Sequence, residues 1–207
     1  IQCMGIPKKL INNQRRIGLT GGIASGKSTI TDYIRRNKKI PILDADYLSK
    51  QLIKPNTIGY KKILDHFGNQ IIDKYSPEKA INKKLLRKII FEDEKDRKWI
   101  QDLLHPLIKE KMIEGCNAYN NNEIILLVVP LLFEAQFEDI CTEVWLVKCT
   151  KKQQIQRLVA RDKISEEEAC TIIKLQLNSY AKTKLSDVIL DNSDDTKGWI
   201  NKIEELI

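Results

Sequence analysis

This sequence of 207 residues has two histidines and five cysteines, with no Cys-x-x-Cys pair, and so lacks the spacing of a zinc site. Cys3, Cys116, Cys141, Cys149 and Cys170 are odd in number and widely spaced, which also excludes a disulfide framework and predicts a reducing, cytoplasmic setting. No apolar run approaches the roughly 20 residues that span a bilayer; the longest, 124–133, is interrupted by Pro130. The first sixteen residues are polar and basic, without the apolar stretch of a signal peptide, and the first fifteen have no assignable role. The chain opens at Ile1, so either Met4 is the expected start or the chain is a fragment. Aromatic residues are only 6% and are not interleaved with basic ones as in single-strand nucleic-acid binders. There is no internal repeat and no low-complexity linker.

What is present fits one α/β domain with room for a small inserted subdomain. A hydrophobic share of 42% supplies a core, and 30% charged residues supply a soluble surface. The net charge of +7 reads either as a Lys-, Ile- and Asn-rich bias or as a match for polyanions. Polyphosphate ligands account for it, and nucleic acid is disfavoured.

The densest motif is Gly21-Gly22-Ile23-Ala24-Ser25-Gly26-Lys27-Ser28, with the spacing of a phosphate-binding loop. Gly21 and Gly26 are expected to take positive φ and to let the backbone approach a ligand. The loop's N–H groups then form an anion nest at the positive end of the next helix. Lys27 reaches the β- and γ-phosphates, and the Ser28 hydroxyl can ligate Mg²⁺. An apolar strand over 16–20 leads in, and a helix over 29–34 with Ile30 and Ile34 on one face leads out, which is the context this motif needs.

Further strands are expected at 40–43, 124–129, 144–149 and 187–190. The apolar run at 124–129 reads as a strand buried on both faces of a parallel sheet. Between the strands, helical patterns cover 47–67, broken near Pro55, then 77–91, then stripes such as Trp99-Leu103-Leu107, and 151–162. Ser165 with Glu166, Glu167 and Glu168 reads as an N-cap and an acidic first turn. Strands separated by helices predict a three-layer α/β/α fold with a parallel sheet.

Asp44-Ala45-Asp46 falls at the end of the second strand, where ligands of open α/β sheets bind. One carboxylate can hold Mg²⁺, directly or through water, and the other can accept a hydroxyl proton; spacing alone does not say which. The 124–129 strand ends in Pro130 rather than Asp, which makes the 44/46 pair the magnesium-side candidate. Arg157 and Arg161 share a helix face, either to steady transferring phosphoryl oxygens or as a solvated face with pairs such as Arg161–Asp162. His105 reads as a capping or core residue, and His66 as a surface or packing one.

Together these segments resemble the dephospho-CoA kinase family. The resemblance is carried by the loop within 17–29, by Asp44-Ala45-Asp46, and by Leu103-Leu104-His105-Pro106-Leu107-Ile108. It continues through Val128-Val129-Pro130-Leu131-Leu132-Phe133-Glu134, Gln156-Arg157, Arg161-Asp162 and Asp191-Asn192. It implies transfer of the ATP γ-phosphate to the ribose 3′-hydroxyl of dephospho-CoA, in a P-loop kinase fold. By the family pattern Asp46 is the base and Asp44 stands at the magnesium with Ser28. Lys27, Arg157 and Arg161 join Asp46 in catalysis. Gly22, Ala24, Ser25, Gly26, Lys27, Ser28, Thr29 and Asn192 bind ATP, with Asn192 near the adenine. Asp46, His105, Pro130 and Leu131 meet the acceptor. The helices over 47–115 form a CoA-binding subdomain, and about 151–182 a mobile lid.

The resemblance further implies a monomer or weak homo-oligomer acting on small molecules, with no nucleic-acid or membrane partner. Ala24 stands where many members carry Gly, and Ser179 and Lys182 stand where the family often has Arg, which puts an anion contact from that helix in question. The rival reading is another P-loop metabolite kinase of the shikimate type, which would lack the Val-Pro-Leu-Leu-Phe-Glu segment. A regulatory GTPase needs Asn-Lys-x-Asp, which neither Asn82-Lys83 nor Asn201-Lys202 begins.

Overall fold

The computed structural model describes residues 14–193 and 197–207, so the expectations for Cys3, Met4 and most of the amino-terminal segment lie outside the described residues. In chain order the elements are β1 (Arg15–Gly21), α1 (Lys27–Asn37), β2 (Ile42–Asp44), α2 (Ala45–Leu52), α3 (Ile58–Phe67), α4 (Lys83–Glu92) and α5 (Glu94–Ala118). They continue as β3 (Ile124–Val128), β4 (Glu143–Lys148), α6 (Lys151–Asp162), α7 (Glu166–Lys174), α8 (Ser179–Lys184), β5 (Val188–Asp191) and α9 (Gly198–Leu206). The chain divides into two compact units, one of residues up to 44 and from 115 onward, the other Ala45–Glu114.

In the first unit the five described strands are all parallel, in the order β2-β3-β1-β4-β5. β1 lies at the centre, with Leu19 level with Val128 of β3 on one side and Trp145 of β4 on the other. The strands carry apolar residues at consecutive positions because helices cover both faces. On one face Ile17, Leu19, Leu126, Val128, Trp145 and Val147 pack with Ile30 and Ile34 of α1 and with Trp199 and Ile203 of α9. On the other face β1 needs glycine: a Cβ on Gly18 would lie 2.6 Å from Cys141 Sγ and 2.7 Å from a Leu132 methyl. Gly115, near the end of α5, likewise leaves room for Leu43 of β2. These are the three layers expected from the alternation of strands and helices.

The second unit buries Tyr60, Ile63, Ile71, Ile81, Leu86 and Ile100 together. α2 and α3 are broken at 53–57, as the Pro55 region implied, and Thr57 caps α3 by accepting from Tyr60 N. Gly59 permits the tight turn between them, since a Cβ there would lie 2.4 Å from the Leu52 carbonyl oxygen. His66 stacks on Trp99 at 3.8 Å between ring centroids, with Nε2 3.0 Å from Asp96 Oδ1.

One helix differs from expectation. The periodic stretch at 77–91 becomes helical only at Lys83, because Asn82 caps α4 by accepting from Leu85 N. Ile81 is held instead in an antiparallel bridge to Ile72, flanked by hydrogen bonds from Asp73 N to Ala80 O and from Asn82 N to Ile71 O. Its burial at helix-compatible spacing is therefore a strand contact.

Candidate active site

The carboxyl edge of the sheet gathers the segments that follow β1, β3, β4 and β5. Gly21 ends β1 and opens the phosphate-binding loop, and α1 begins at Lys27. Of the two glycines expected at positive φ, Gly26 has it, at 95°. Gly21 does not: it ends an extended strand, and its need for glycine is one of space, a Cβ falling 2.7 Å from both Ser25 Oγ and the Val147 carbonyl oxygen. Ala24 takes positive φ, at 58°, a conformation that alanine adopts at a cost and glycine does not.

The start of α1 lacks the side-chain cap that five other helices carry, a feature it shares with α9, whose cap position is Lys197. α3, α4, α6, α7 and α8 each have a side-chain cap, from Thr57, Asn82, Thr150, Ser165 and Asn178. α1 has Gly26 at its cap position, no side-chain cap and no acidic residue in its first turn. Neither its cap residue nor its first turn thus supplies an anion to its leading N–H groups and positive dipole end. The Ser25 hydroxyl, on a residue 2% exposed, also has no hydrogen-bond partner among the described residues. An uncapped helix end beside an orphaned buried hydroxyl fits a phosphate chain. Lys27 Nζ, from the first helical residue, donates to Gly21 O at 3.2 Å.

A cleft of about 360 Å³ opens against this loop, lined by Ala24, Gly26, Ser28, Thr29, Arg157, Arg161 and Asn192. Seven residues singled out in the sequence are therefore brought to one place, from β1–α1, α6 and the end of β5. Asn192 Nδ2 donates to Ser25 O at 3.0 Å, and Arg157 reaches Ser25 O at 3.4 Å and Asn192 O at 3.3 Å. Arg161 forms a two-point pair with Asp162, at 2.7 and 3.0 Å, which raises its pKa. Arg157 braces the loop through backbone carbonyls, and Arg161 lines the cleft while forming the neighbour pair of the solvated-face reading. Cys149, at the end of β4, lies 4.0 Å from Ala24 O; burial pushes its thiol pKa up, and Arg157 offsets this in part.

The loop is also held by two glutamines that no sequence pattern indicated. Gln154 Nε2, from α6, donates to Ile23 O at 2.9 Å, and Gln176 Oε1, from the turn after α7, accepts from Ile23 N at 2.8 Å. Gly22 gives Gln154 its passage, since a Cβ there would lie 2.4 Å from Nε2.

Asp44 is the last residue of β2, level with Val128 of β3. Asp46 falls in the first turn of α2, in the second unit. No group of three or more His, Cys, Asp or Glu among the described residues could hold a metal ion. Ser28 is exposed in the first turn of α1. One hydroxyl and one carboxylate suit Mg²⁺, which keeps several waters and takes few protein ligands. Pro130 O accepts from Thr20 Oγ1 at 3.2 Å, which fixes the start of the segment carrying Leu131 beside β1. His105 stands in α5 of the second unit, before Pro106, and burial lowers its pKa while Asp102 works against this. Lys182 is 1% exposed with Nζ 2.8 Å from Glu134 Oε1, so it is spent on a buried ion pair instead of meeting solvent anions; Ser179, exposed, begins α8.

The profile of the dephospho-CoA kinase family matches residues 15–198. A dephospho-CoA kinase of Prochlorococcus marinus (strain MIT 9312) is 67% identical over 205 residues, covering 99% of this chain and all of that protein. The solved dephospho-CoA kinase of Campylobacter jejuni superposes with a TM-score of 0.67 at 25% identity, over 92% of this chain and 96% of its own. A Thermus thermophilus protein shares the fold, with a TM-score of 0.76 at 23% identity over 93% of this chain and 96% of its own. With the family profile spanning the loop, the Asp44–Asp46 pair, both arginines and Asn192, this chain belongs to the dephospho-CoA kinase family.

Proposed function

We infer that the chain transfers the γ-phosphate of ATP to the ribose 3′-hydroxyl of dephospho-CoA, the reading to which the family match over residues 15–198 contributes most. The reaction breaks the bond between the γ-phosphorus and the β–γ bridging oxygen and forms one to the ribose oxygen, releasing ADP and CoA. In this reading the amides of the loop and Lys27 hold the β- and γ-phosphates, Thr29 and Asn192 lie along the nucleotide, and Arg157 and Arg161 offset charge on the transferring oxygens. Asp46 accepts the proton of the ribose hydroxyl. Ser28 and Asp44 would hold Mg²⁺, which when bound neutralises phosphate charge. Pro130, Leu131 and His105 contact the acceptor, residues 47–115 carry its CoA portion, and about 151–182 act as a lid. No described helix is long and apolar enough to cross a membrane. A cytoplasmic monomer or weak homo-oligomer acting without nucleic acid completes the proposal.

The test is direct. The purified protein with Mg-ATP should convert dephospho-CoA to CoA with one ADP released per turnover. Asp46→Asn should lower kcat by roughly 10²–10⁴-fold with the fold intact, as expected for loss of a general base. Activity on shikimate with none on dephospho-CoA would overturn the substrate, and an unimpaired Asp46→Asn would overturn the base.

A further inference from the structure

Ile23 is the only described residue of the loop whose backbone N–H and C=O are both taken by side chains, those of Gln176 and Gln154. Gln176 is in turn placed by its surroundings. The next residue, Leu177, donates its N–H to Glu134 Oε1 at 3.0 Å. The same oxygen lies 2.8 Å from Lys182 Nζ, one helix further on. That ammonium is 1% exposed, and no acceptor is aligned for a hydrogen bond to it among the described residues, so Glu134 is its sole close countercharge there. A buried cation with a single carboxylate beside it resists separation, because moving either leaves an uncompensated charge. Glu134 itself lies in the segment that follows β3, whose Pro130 carbonyl is tied to β1 through Thr20. A continuous set of contacts therefore runs from Glu134, held by Lys182, through the Leu177 amide and the adjoining Gln176 to the middle of the phosphate-binding loop.

We propose that Gln176 and Gln154 are positioning residues that set the curvature of the loop through Ile23, and that the Glu134–Lys182 pair anchors Gln176 to the segment following β3. Neither glutamine acts on phosphate. They hold Ile23 so that the Ala24 and Gly26 amides and the start of α1 present their N–H groups together. The proposal rests on the reading that this loop binds the phosphates of ATP.

It is tested by equilibrium binding of a fluorescent N-methylanthraniloyl ATP with Mg²⁺ and no acceptor, so its outcome is separate from whether dephospho-CoA is the substrate. Gln176→Leu, which keeps bulk and removes the acceptor for Ile23 N, should weaken binding about 3–10-fold, the range of one net hydrogen bond. Lys182→Met should weaken it by a smaller factor; it leaves Glu134, with 22% of its side chain exposed, able to take water. The double variant should bind no more weakly than Gln176→Leu alone, because Lys182 acts only through Gln176. Thermal melts establish that each variant is folded, and Gln154→Met supplies the same comparison through Ile23 O if Gln176→Leu is not recovered folded. Binding within twofold of the parent protein in the folded glutamine variant overturns the positioning role. A double variant weakened by the product of the two single factors overturns the link to Lys182.

Discussion

At the scale of single residues, two positions carry a cost that a measurement can expose. Ala24 adopts φ 58° inside the loop, where an L side chain is disfavoured by about 1–2 kcal/mol. Glycine would remove that strain but would free the unfolded chain by about 0.4–1 kcal/mol. Ala24→Gly should therefore raise stability by roughly 0.5–1 kcal/mol in urea unfolding; a lower midpoint would mean that the alanine methyl contributes packing that outweighs its strain. His105 gives a pH dependence. Burial lowers its pKa in the folded protein below the ordinary 6.5, so the unfolded chain takes up the proton first. The stability it contributes is complete above about 6.5 and is lost as pH falls through that value toward the folded pKa. Melting temperatures followed from about pH 8 to about pH 5 should fall more steeply for the parent than for His105→Gln. Parallel curves would mean that the imidazole is hydrated in both states.

At the scale of elements, the helices show where sequence periodicity suffices. α6 occupies 151–162 as expected, because its start is written locally: Thr150 and Gln153 form a reciprocal capping box. The Ser165 cap of α7 was equally legible, with Ser165 Oγ accepting from Glu168 N. The periodic pattern places the start of α4 six residues too early, since Ile81 fits a helical stripe and only the pairing with Ile72 removes it from the helix. Periodicity records that a residue is buried, not what buries it. The phosphate loop was legible for the same local reason as the caps, whereas Gln154 and Gln176 were not. Their partner Ile23 lies more than a hundred residues away in sequence, and a glutamine on a polar helix face carries no pattern of its own. The α2–α3 turn yields a third prediction. With a Cβ placed 2.4 Å from the Leu52 carbonyl, Gly59→Ala must push apart backbone that no side-chain rotation can relieve. The variant should lose about 1–3 kcal/mol, read as a lower denaturation midpoint; an unchanged midpoint would show that the turn relaxes at little cost.

For the whole molecule, alternating strand and helix patterns were enough to give a parallel sheet with helices on both faces, because that connectivity leaves few alternatives. The order of the strands was not legible. Nothing in the residues of β1 says that its neighbours are β3 and β4, since the middle of each of these strands is buried and any of them could flank it. The site inherits this difficulty: its residues come from the loop after β1 with the start of α1, from α6 and from the end of β5, and only the loop after β1 is recognisable in isolation. The charge of +7 was matched to polyphosphate from composition. In the structure Arg157 and Arg161 meet the loop at one cleft, while Lys182, one of the same basic total, is turned inward against Glu134.

The central place of β1 also bears on how the chain is made. Among the described strands it is made first, yet both of its partners lie beyond residue 123, and β2 pairs with β3 alone of these strands. Contacts so distant in sequence form late, after the loops that separate them have closed. The helices of Ala45–Glu114, whose core is local, can collapse while β1 still waits. A nascent chain arrested before β4 would therefore carry a complete phosphate-loop sequence without the α6 and β5 side of its cleft, and a β1 edge lacking its β4 partner and open to the wrong neighbours.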